Sequence, residues 1–432
     1  MDKREKIIGQ RQAFLYPTKV AYYREPLHLV KASGSYVWDD QGKKYLDVIG
    51  GIVSISVGHN HPRIKAKMRS MLESDAIQHT TFLYLSEYMA DLAQKLSEVA
   101  PEDLNKCYIT NSGSEANEMA VMTARVATGE QMMISLRHGY HGGTNVPLSL
   151  CGHGTWKFAA QPQAAVTHAQ APYCYRCPFG KKRESCALEC ASEVKNVIET
   201  TTSGKIAGMI CEPILGVGGF IEAPLEYHKQ VYDIVKSFGG LYISDEVQTG
   251  VGRTGKNFFA ITDSGVTPDI ITMAKGIGNG APVGAVVTKE KYANALKGKL
   301  HFNTFGGDPY QAMQAAEVID IIRDEKLIEN AHHMGQYLVD GFKQLQKDFP
   351  IIGDIRGRGL LLGLELVKDP VSKEPATAQT VEVMENAKAQ NILIGKGGLY
   401  GNVIRLAPVL SINKKECDEL LHGMRKAFEN LK

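Results

Sequence analysis

The sequence lacks a marked excess of charge of either sign. Its 49 lysine and arginine residues nearly balance its 47 aspartate and glutamate residues, which gives a formal net charge of +2. Binding to nucleic acid or to an anionic membrane surface usually depends on concentrated positive charge. The composition therefore predicts neither a nucleic-acid partner nor a membrane-surface partner.

The sequence also lacks long apolar runs, because none approaches the roughly 20 residues that a membrane-spanning helix needs. Its first residues, MDKREKIIGQRQ, include Asp2 and Glu5 and contain no apolar core. A secretory signal needs such a core, and a transit peptide is poor in acidic residues. We therefore expect a cytoplasmic protein with no membrane partner.

Cysteine is sparse, and eight residues in a chain of 432 do not indicate a disulfide scaffold. Four of them share the spacing C-x2-C-x8-C-x3-C, namely Cys174, Cys177, Cys186 and Cys190. Closely spaced cysteines can hold a structural zinc ion, but the middle gap is short for the usual zinc sites. We favour an unligated surface excursion or a labile disulfide, and we predict no metal.

Two short apolar runs each end in one charged residue. Residues 241–244 lead into Asp245, and residues 270–274 lead into Lys275. Such runs, rich in branched residues, are typical of buried strands in a parallel sheet. Because ligands bind beyond the carboxyl ends of these strands, Asp245 and Lys275 can meet over one ligand.

The chemistry of this pair suits a ligand that is both an aldehyde and a cation. A lysine in such a place can form a Schiff base, and an aspartate can keep a ring nitrogen protonated. Pyridoxal phosphate (PLP) offers both partners, an aldehyde for Lys275 and a pyridine nitrogen for Asp245. A buried ion pair between the two residues explains the pair alone equally well.

A third strand, predicted over residues 107–110, precedes small residues that open a helix. Free backbone N–H groups and the helix dipole favour an anion at such a point. A phosphate would fit on Ser112, Gly113 and Ser114. The spacing of Ser112 and Glu115 also matches an ordinary capping box, which is the simpler explanation of this motif taken alone.

The stretch SDEVQTGVGRTG, followed by MAKGIGNG, resembles the PLP-dependent aminotransferases of class III. The likeness covers almost the whole chain and is greatest to the alanine–glyoxylate aminotransferase 2 group. It implies fold type I, the aspartate aminotransferase-like α/β fold, with a mostly parallel sheet in the large domain and a smaller α+β domain. We place the large PLP-binding domain at residues 58–310 and the small domain at residues 1–57 and 311–432.

The resemblance also implies roles for residues at the ends of the strands. Lys275 and Asp245 become the catalytic residues, and Tyr140 stacks on the cofactor ring. Val247 packs on the ring, and Gln248 bonds its hydroxyl group. Glu212 follows a further predicted strand and is expected to support the residues that touch the cofactor. His141, which follows Tyr140 in the sequence, receives no role.

Two more positions follow from the resemblance alone. Family members use a threonine, here Thr304, to bind the phosphate of the cofactor in the neighbouring subunit. We therefore expect a homodimer or a homotetramer. The segment before the GHNHP turn borders the substrate in the family, which places Ile52 near the pocket.

Three positions narrow the substrates to a small-molecule amino donor and a 2-oxo acid acceptor. Arg405 matches the family arginine that holds a carboxylate. Val217 and Gly143 replace a glutamate and an arginine of the ornithine and 4-aminobutyrate enzymes. We therefore predict pyruvate or glyoxylate as acceptor. The alternatives are a 4-aminobutyrate- or ornithine-type enzyme using 2-oxoglutarate and a phospho-lyase of phosphorylated amino alcohols.

Overall fold

A seven-stranded sheet forms the centre of the molecule, in a computed structural model that describes residues 3–18, 22–159 and 165–431. The strands are Leu104–Thr110, Met133–Leu136, Val166–Ala169, Gly208–Cys211, Leu241–Asp245, Ile270–Met273 and Gly284–Lys289. From edge to edge they begin at residues 104, 284, 270, 241, 208, 133 and 166. The strand that begins at residue 284 is antiparallel to both neighbours, and the other six run the same way. The sheet is therefore mostly parallel, as predicted.

The two apolar runs form central strands because both of their faces are covered. Ile243 and Ile270 pack with the helix Gly113–Thr128 in one apolar cluster. Tyr242 and Ile271 belong to the larger cluster on the opposite face, as the alternation of side chains along a strand requires. This burial fixes the position of the two strands, and with it the position of Asp245 and Lys275 at their carboxyl ends.

Three smaller sheets complete the strand structure. One joins three N-terminal strands to a late strand, and its members are Leu29–Ser33, Tyr36–Asp39, Lys44–Asp47 and Ile392–Leu393. The second contains Ile352–Arg358, Leu361–Leu366, Val403–Leu406 and Gly395–Gly397, in that order. The third pairs Ile214–Leu215 with Ile221–Glu222. The first and last parts of the chain thus share a sheet, whereas the predicted domain boundaries stay a prediction.

Helices cover the sheets and connect their strands. They are Lys3–Phe14, Pro62–Glu73, Glu87–Val99, Gly113–Thr128, Asn145–Leu150, Glu189–Thr201, Leu225–Ser237, Glu290–Ala293, Pro309–Asp324, Leu327–Asp348, Thr377–Ala389 and Lys414–Glu429. The segment Gly50–Val53 instead forms a left-handed turn, in which Ile52 has φ +71°. The cysteine-containing part of the chain includes regular structure, because the edge strand Val166–Ala169 and the helix Glu189–Thr201 flank and enter it.

Candidate active site

Asp245 and Lys275 leave neighbouring parallel strands at the same edge of the sheet. Asp245 lies opposite Thr272 in the register, and Lys275 follows two residues after the second strand ends. Lys275 has φ +50° and begins the turn Lys275–Gly278, so the chain bends sharply at the lysine. Both residues line one cavity, as the sequence predicted.

The amine of Lys275 has no hydrogen-bond partner among the described residues. Burial lowers its pKa from 10.5 to about 8, although the negative charges of Asp245 and Glu212 oppose that shift. A substantial fraction of the amine is therefore neutral near physiological pH. A neutral amine can attack a carbonyl or accept a proton.

Asp245 is 2% exposed, and three N–H groups hold its carboxylate. One oxygen accepts the backbone N–H of Val247 at 3.1 Å. The other accepts Asn117 Nδ2 and His141 Nδ1, each at 2.8 Å. These N–H groups fix the carboxylate of Asp245 in the cavity wall, where it could face a cationic ring nitrogen.

His141 and Asn117 both hold Asp245, a role that the sequence did not predict. An ionised carboxylate can only accept hydrogen bonds, so Nδ1 of His141 must donate to Asp245. Asn117 also donates to the backbone oxygen of His141 at 2.7 Å and accepts from Thr272 Oγ1 at 2.6 Å. Each of them lies more than a hundred positions from Asp245 in the sequence.

The first residues of the helix that begins at Gly113 have two interpretations from the sequence, a phosphate site and a helix cap. Ser112 caps the helix by accepting the backbone N–H of Glu115 at 3.2 Å. Within the described ranges, the backbone N–H groups of Gly113 and Ser114 have no partner. The cap and an anion site therefore coexist, and Ser112 itself lies beside the cavity rather than in its lining.

Glu212 ties two loops of the cavity together. Its carboxylate accepts the backbone N–H groups of Tyr140 at 2.9 Å and Gly216 at 2.8 Å. Burial raises its pKa to about 7, partly opposed by His141 and these N–H groups. The ring of Tyr140 lies 4.9 Å from that of Trp156, centroid to centroid, which supports it from the side.

Gln248 supplies a buried polar atom that the protein leaves unsatisfied. Its Oε1 is buried and has no hydrogen-bond partner within the described part of the chain. Such an atom is costly unless a ligand pairs with it. Val247 lies on the same wall, and a side-chain carbon added at Gly113 would come within 3.0 Å of it.

These groups fit PLP as the resemblance describes it. Eight of the ten predicted cofactor-binding residues line the one cavity, and they are Gly113, Ser114, Tyr140, Glu212, Asp245, Val247, Gln248 and Lys275. Unpaired N–H groups suit a phosphate, an ionised Asp245 suits a pyridinium, and the unpaired amide of Gln248 suits a ring hydroxyl. With the amine of Lys275 for the aldehyde, four contacts of different chemistry thus converge on one ligand.

Arg405 lies outside this cavity but beside its rim. It projects from the strand Val403–Leu406, is 6% exposed, and donates to the backbone oxygens of Gly216 at 3.3 Å and Lys396 at 3.2 Å. Burial lowers its pKa, and in the described residues no carboxylate forms an ion pair with it. Arg405 is therefore a buried cation without an anion.

Thr304 and Ile52 also lie away from the cavity. Thr304 is exposed and lines a different depression together with Tyr108 and Asn303. Ile52 is 45% exposed. Within a single chain, the structure therefore does not bring Thr304 or Ile52 together with Lys275.

Two arginines that could have supplied a second cation do not reach the cavity. Arg253 is buried and donates to the backbone oxygens of Leu360 and Pro408. Arg137 lies on the surface. Neither residue is part of the cavity lining. Neither therefore replaces the arginine that the 4-aminobutyrate enzymes have at the position of Gly143.

The four clustered cysteines carry free thiols and line one small cavity of their own. Across residues 3–18, 22–159 and 165–431, no group of three or more metal-binding side chains has the geometry to hold a metal ion. In the same ranges, no helix is long and apolar enough to cross a membrane. The prediction of no metal stays a prediction.

Comparison with known proteins gives one consistent family. The model for "Aminotransferase class-III" matches residues 19–428. Alanine–glyoxylate aminotransferase 2 homolog 2, mitochondrial, of Arabidopsis thaliana is 43% identical, with 97% of this chain and 86% of that protein covered. Human alanine–glyoxylate aminotransferase 2, mitochondrial, is 35% identical, with 98% and 86% covered.

Solved structures agree with that family. The crystal structure of a Bacillus anthracis aminotransferase has a TM-score of 0.91 and 32% identity, over 99% of both chains. An amine transaminase from an uncultivated Pseudomonas species, solved in its PLP-bound form, has a TM-score of 0.91 and 28% identity. It covers 97% of this chain and 99% of that one.

Proposed function

The chain belongs to the class III aminotransferases and is a PLP-dependent enzyme, and from that premise we propose that it transfers an amino group to a small 2-oxo acid, pyruvate or glyoxylate. PLP, when bound, supplies an aldehyde that carries the amino group between donor and acceptor and a ring that acts as an electron sink. The residues of the chain bind it, orient it and move the protons.

Lys275 and Asp245 carry the chemistry in this proposal. The amine of Lys275 is the group that binds the aldehyde and later moves a proton, because its lowered pKa keeps part of it neutral. Asp245 faces the ring nitrogen and stays charged through the N–H groups of Asn117, His141 and Val247. His141 and Asn117 are thus positioning residues for Asp245.

The remaining lining residues orient the cofactor. Ser112, Gly113 and Ser114 take the phosphate at the start of their helix, where two backbone N–H groups are free. Tyr140 and Val247 hold the ring between them, and Gln248 pairs its buried oxygen with the ring hydroxyl. Glu212 supports this wall through its bonds to two backbone N–H groups.

The observation that carries the choice of acceptor is the lack of any carboxylate ion pair at Arg405 within the described ranges. Val217 lies next to Arg405. The backbone oxygen of Val217 accepts the N–H of Gly398, and a side-chain carbon added at the preceding Gly397 would contact both that oxygen and Arg405. Val217 has no charge with which to neutralise the arginine. Arg405 therefore remains available for the carboxylate of a 2-oxo acid or amino acid.

Among the described residues, the cavity lining offers no arginine or second lysine for a second carboxylate. Gly143 opens on empty space, and neither Arg137 nor Arg253 reaches the cavity. Burying an unpaired carboxylate costs a few kcal/mol or more. We therefore expect the small monocarboxylates to exceed 2-oxoglutarate by at least about tenfold in specificity constant.

The test measures kcat/KM for pyruvate, glyoxylate and 2-oxoglutarate with one common amino donor. A panel of donors, run against each acceptor, then identifies the donor class. Stoichiometric loss of the 2-oxo acid separates a transaminase from a phospho-lyase or a racemase. If 2-oxoglutarate equals or exceeds the two small acids, the 4-aminobutyrate- or ornithine-type alternative replaces this proposal.

The position of Thr304 supports a shared site between two copies of the chain. It lies among exposed apolar side chains, including Phe302 and Phe305, which are 43% and 57% exposed. Phe82, 61% exposed, lines a depression together with Asn303, which extends the same apolar surface. In a homodimer or homotetramer, Thr304 would bind the phosphate in the neighbouring subunit.

Two further points stay proposals. Ile52 lies in a left-handed turn that, in the family, borders the substrate, so we place it at the entrance to the pocket. The location is proposed as cytoplasmic, although the Arabidopsis and human relatives both carry the word mitochondrial in their names. Cell fractionation with an antibody to this protein decides the second point.

A further inference from the structure

Arg405 has an unusual environment for a buried cation. Its guanidinium contacts two backbone oxygens and lies 5.4 Å from the ring centre of Phe220. Nε and Nη1 donate to these backbone oxygens, and the Tyr22 hydroxyl is a further hydrogen-bond partner of the guanidinium, so that within the described residues some of its five N–H groups stay free for a ligand. A guanidinium with free N–H groups is a strong partner for a carboxylate.

Tyr22 reaches the same place from the N-terminal segment. Its hydroxyl oxygen accepts the backbone N–H of Lys396 at 2.6 Å, while Arg405 donates to the backbone oxygen of that same residue at 3.2 Å. A side-chain carbon added at Gly395 would lie 3.1 Å from the hydroxyl, and one at Gly397 would lie 2.8 Å from Arg405 Cδ. The two side chains thus flank one short strand.

The hydrogen bonds of the Tyr22 hydroxyl show whether its proton is free for a ligand. A hydroxyl has one proton to donate and two positions that accept. The backbone N–H of Lys396 occupies one accepting position of the hydroxyl oxygen. The guanidinium of Arg405 lies close to the same oxygen: burial lowers the pKa of Arg405, and Tyr22 partly opposes that shift. In the described part of the chain, nothing accepts the hydroxyl proton. Tyr22 is 41% exposed, so a ligand can approach it.

The adjacent tyrosine provides a contrast within the same segment. Tyr23 is 8% exposed, and its hydroxyl both donates to the backbone oxygen of Ile394 and accepts that residue's N–H, each at 3.1 Å. Its hydrogen bonds are therefore complete inside the protein. Tyr22 and Tyr23 differ in whether the hydroxyl retains a proton for a ligand.

We propose that Tyr22 and Arg405 form one carboxylate site, in which Arg405 supplies the charge and Tyr22 donates its hydroxyl proton to the same carboxylate. The inference rests on the proposed function, because the carboxylate is that of the 2-oxo acid or of the amino acid. It makes Tyr22 a specificity-determining residue for substrates that carry a carboxylate. Amines without a carboxylate do not use it.

The test measures binding to the cofactor-loaded enzyme by calorimetry, with propionate as the probe because it has a carboxylate but no keto group. Tyr22→Phe should weaken propionate binding roughly five- to tenfold, a value near the low end for a hydrogen bond to a charged group. Tyr23→Phe, the matched control, should lower the melting temperature but change propionate affinity less than about twofold. KM for pyruvate should rise in Tyr22→Phe and should change little in Tyr23→Phe.

The other outcomes separate this inference from the proposed function. Unchanged propionate affinity in Tyr22→Phe overturns the inference, even if pyruvate remains the better acceptor. Tighter binding also overturns it, because Tyr22 would then compete with the carboxylate for Arg405. If Tyr22→Phe weakens propionate binding but the wild type prefers 2-oxoglutarate, the carboxylate site stands and the proposed acceptor fails.

Discussion

At the scale of single residues, Asp245 depends on side chains that lie far from it in the sequence. Asn117 and His141 donate to one of its oxygens, and the backbone of Val247 donates to the other. These bonds satisfy both carboxylate oxygens at a buried position. The charge, rather than the shape of the side chain, is what the ring nitrogen of PLP requires.

Replacing Asp245 by asparagine tests that requirement. We expect Asp245→Asn to bind PLP but to lose about a thousandfold in kcat, because the amide cannot stabilise a cationic ring by charge. Asp269→Asn is a matched control, since Asp269 is also 2% exposed but lies outside the cavity. Steady-state rates and PLP titration provide the measurements, and near-normal turnover by Asp245→Asn means that the carboxylate is only structural.

The pKa of Lys275 gives a second prediction at this scale. In the cofactor-free protein, the rate of PLP attachment should rise with pH and level off above about 8, because only the neutral amine attacks. N-acetyl-lysine amide, as a reference, should continue to gain rate up to about pH 10, near the ordinary lysine pKa. Stopped-flow absorbance follows both reactions. A protein profile that matches the reference contradicts the lowered pKa.

At the scale of elements, the order of strands explains why distant motifs meet. Five parallel strands end at one edge, and each brings residues at or after its end to one cavity. The loop after Leu136 must then approach the start of the helix at Gly113 closely. At Gly142 a side-chain carbon would lie 2.5 Å from Ser114 Oγ, and the backbone there has φ +135°.

Neighbouring glycines in that loop allow a controlled test. Gly142→Ala should weaken PLP binding by at least about tenfold, because it displaces Ser114 and strains the backbone. Gly143→Ala is the matched control, since nothing lies within 4 Å of a carbon added there. Fluorescence titration with PLP measures both affinities. Equal affinities in the two variants would falsify the close approach of this loop to the phosphate site.

The sequence predicted those elements whose signal is local. Buried runs such as residues 241–244 carry their pattern in consecutive side chains, so their strands and the residues that follow were predictable. The strand Ile352–Arg358 was not, because its charged residues and glycines are only partly buried and their pattern is typical of a loop. The roles of His141 and Tyr22 depend on contacts across the fold, and no local pattern indicates them.

At the scale of the whole molecule, one exposed apolar surface remains to be explained. Leu83, Tyr84 and Leu85 are 70%, 71% and 102% exposed, and they lie in the same segment as Phe82. Contiguous apolar surface of this kind marks an interaction site. We propose that a second copy of the chain covers this surface, which would place Thr304 at the neighbouring cavity.

Hybrid dimers test the shared site. Lys275→Ala and Thr304→Ala, each inactive alone, should regain activity when mixed, because one of the two sites then carries neither lesion. A mixture of Lys275→Ala with Lys275→Met is the control and should stay inactive. Assays after subunit exchange, with hybrid formation checked by native mass spectrometry, give the result. Hybrids without activity, or a fully active monomer, argue against a site shared between subunits.

The most direct measurement of the central claim is to find which side chain carries the cofactor. The purified protein, loaded with PLP and reduced with borohydride, should carry the pyridoxyl group on the peptide that contains Lys275, as peptide mass mapping reads it. Lys275→Ala should be unlabelled and colourless. Label on another lysine in the wild type, or a wild type that cannot be loaded with PLP, would contradict the assignment of this cavity as the active site.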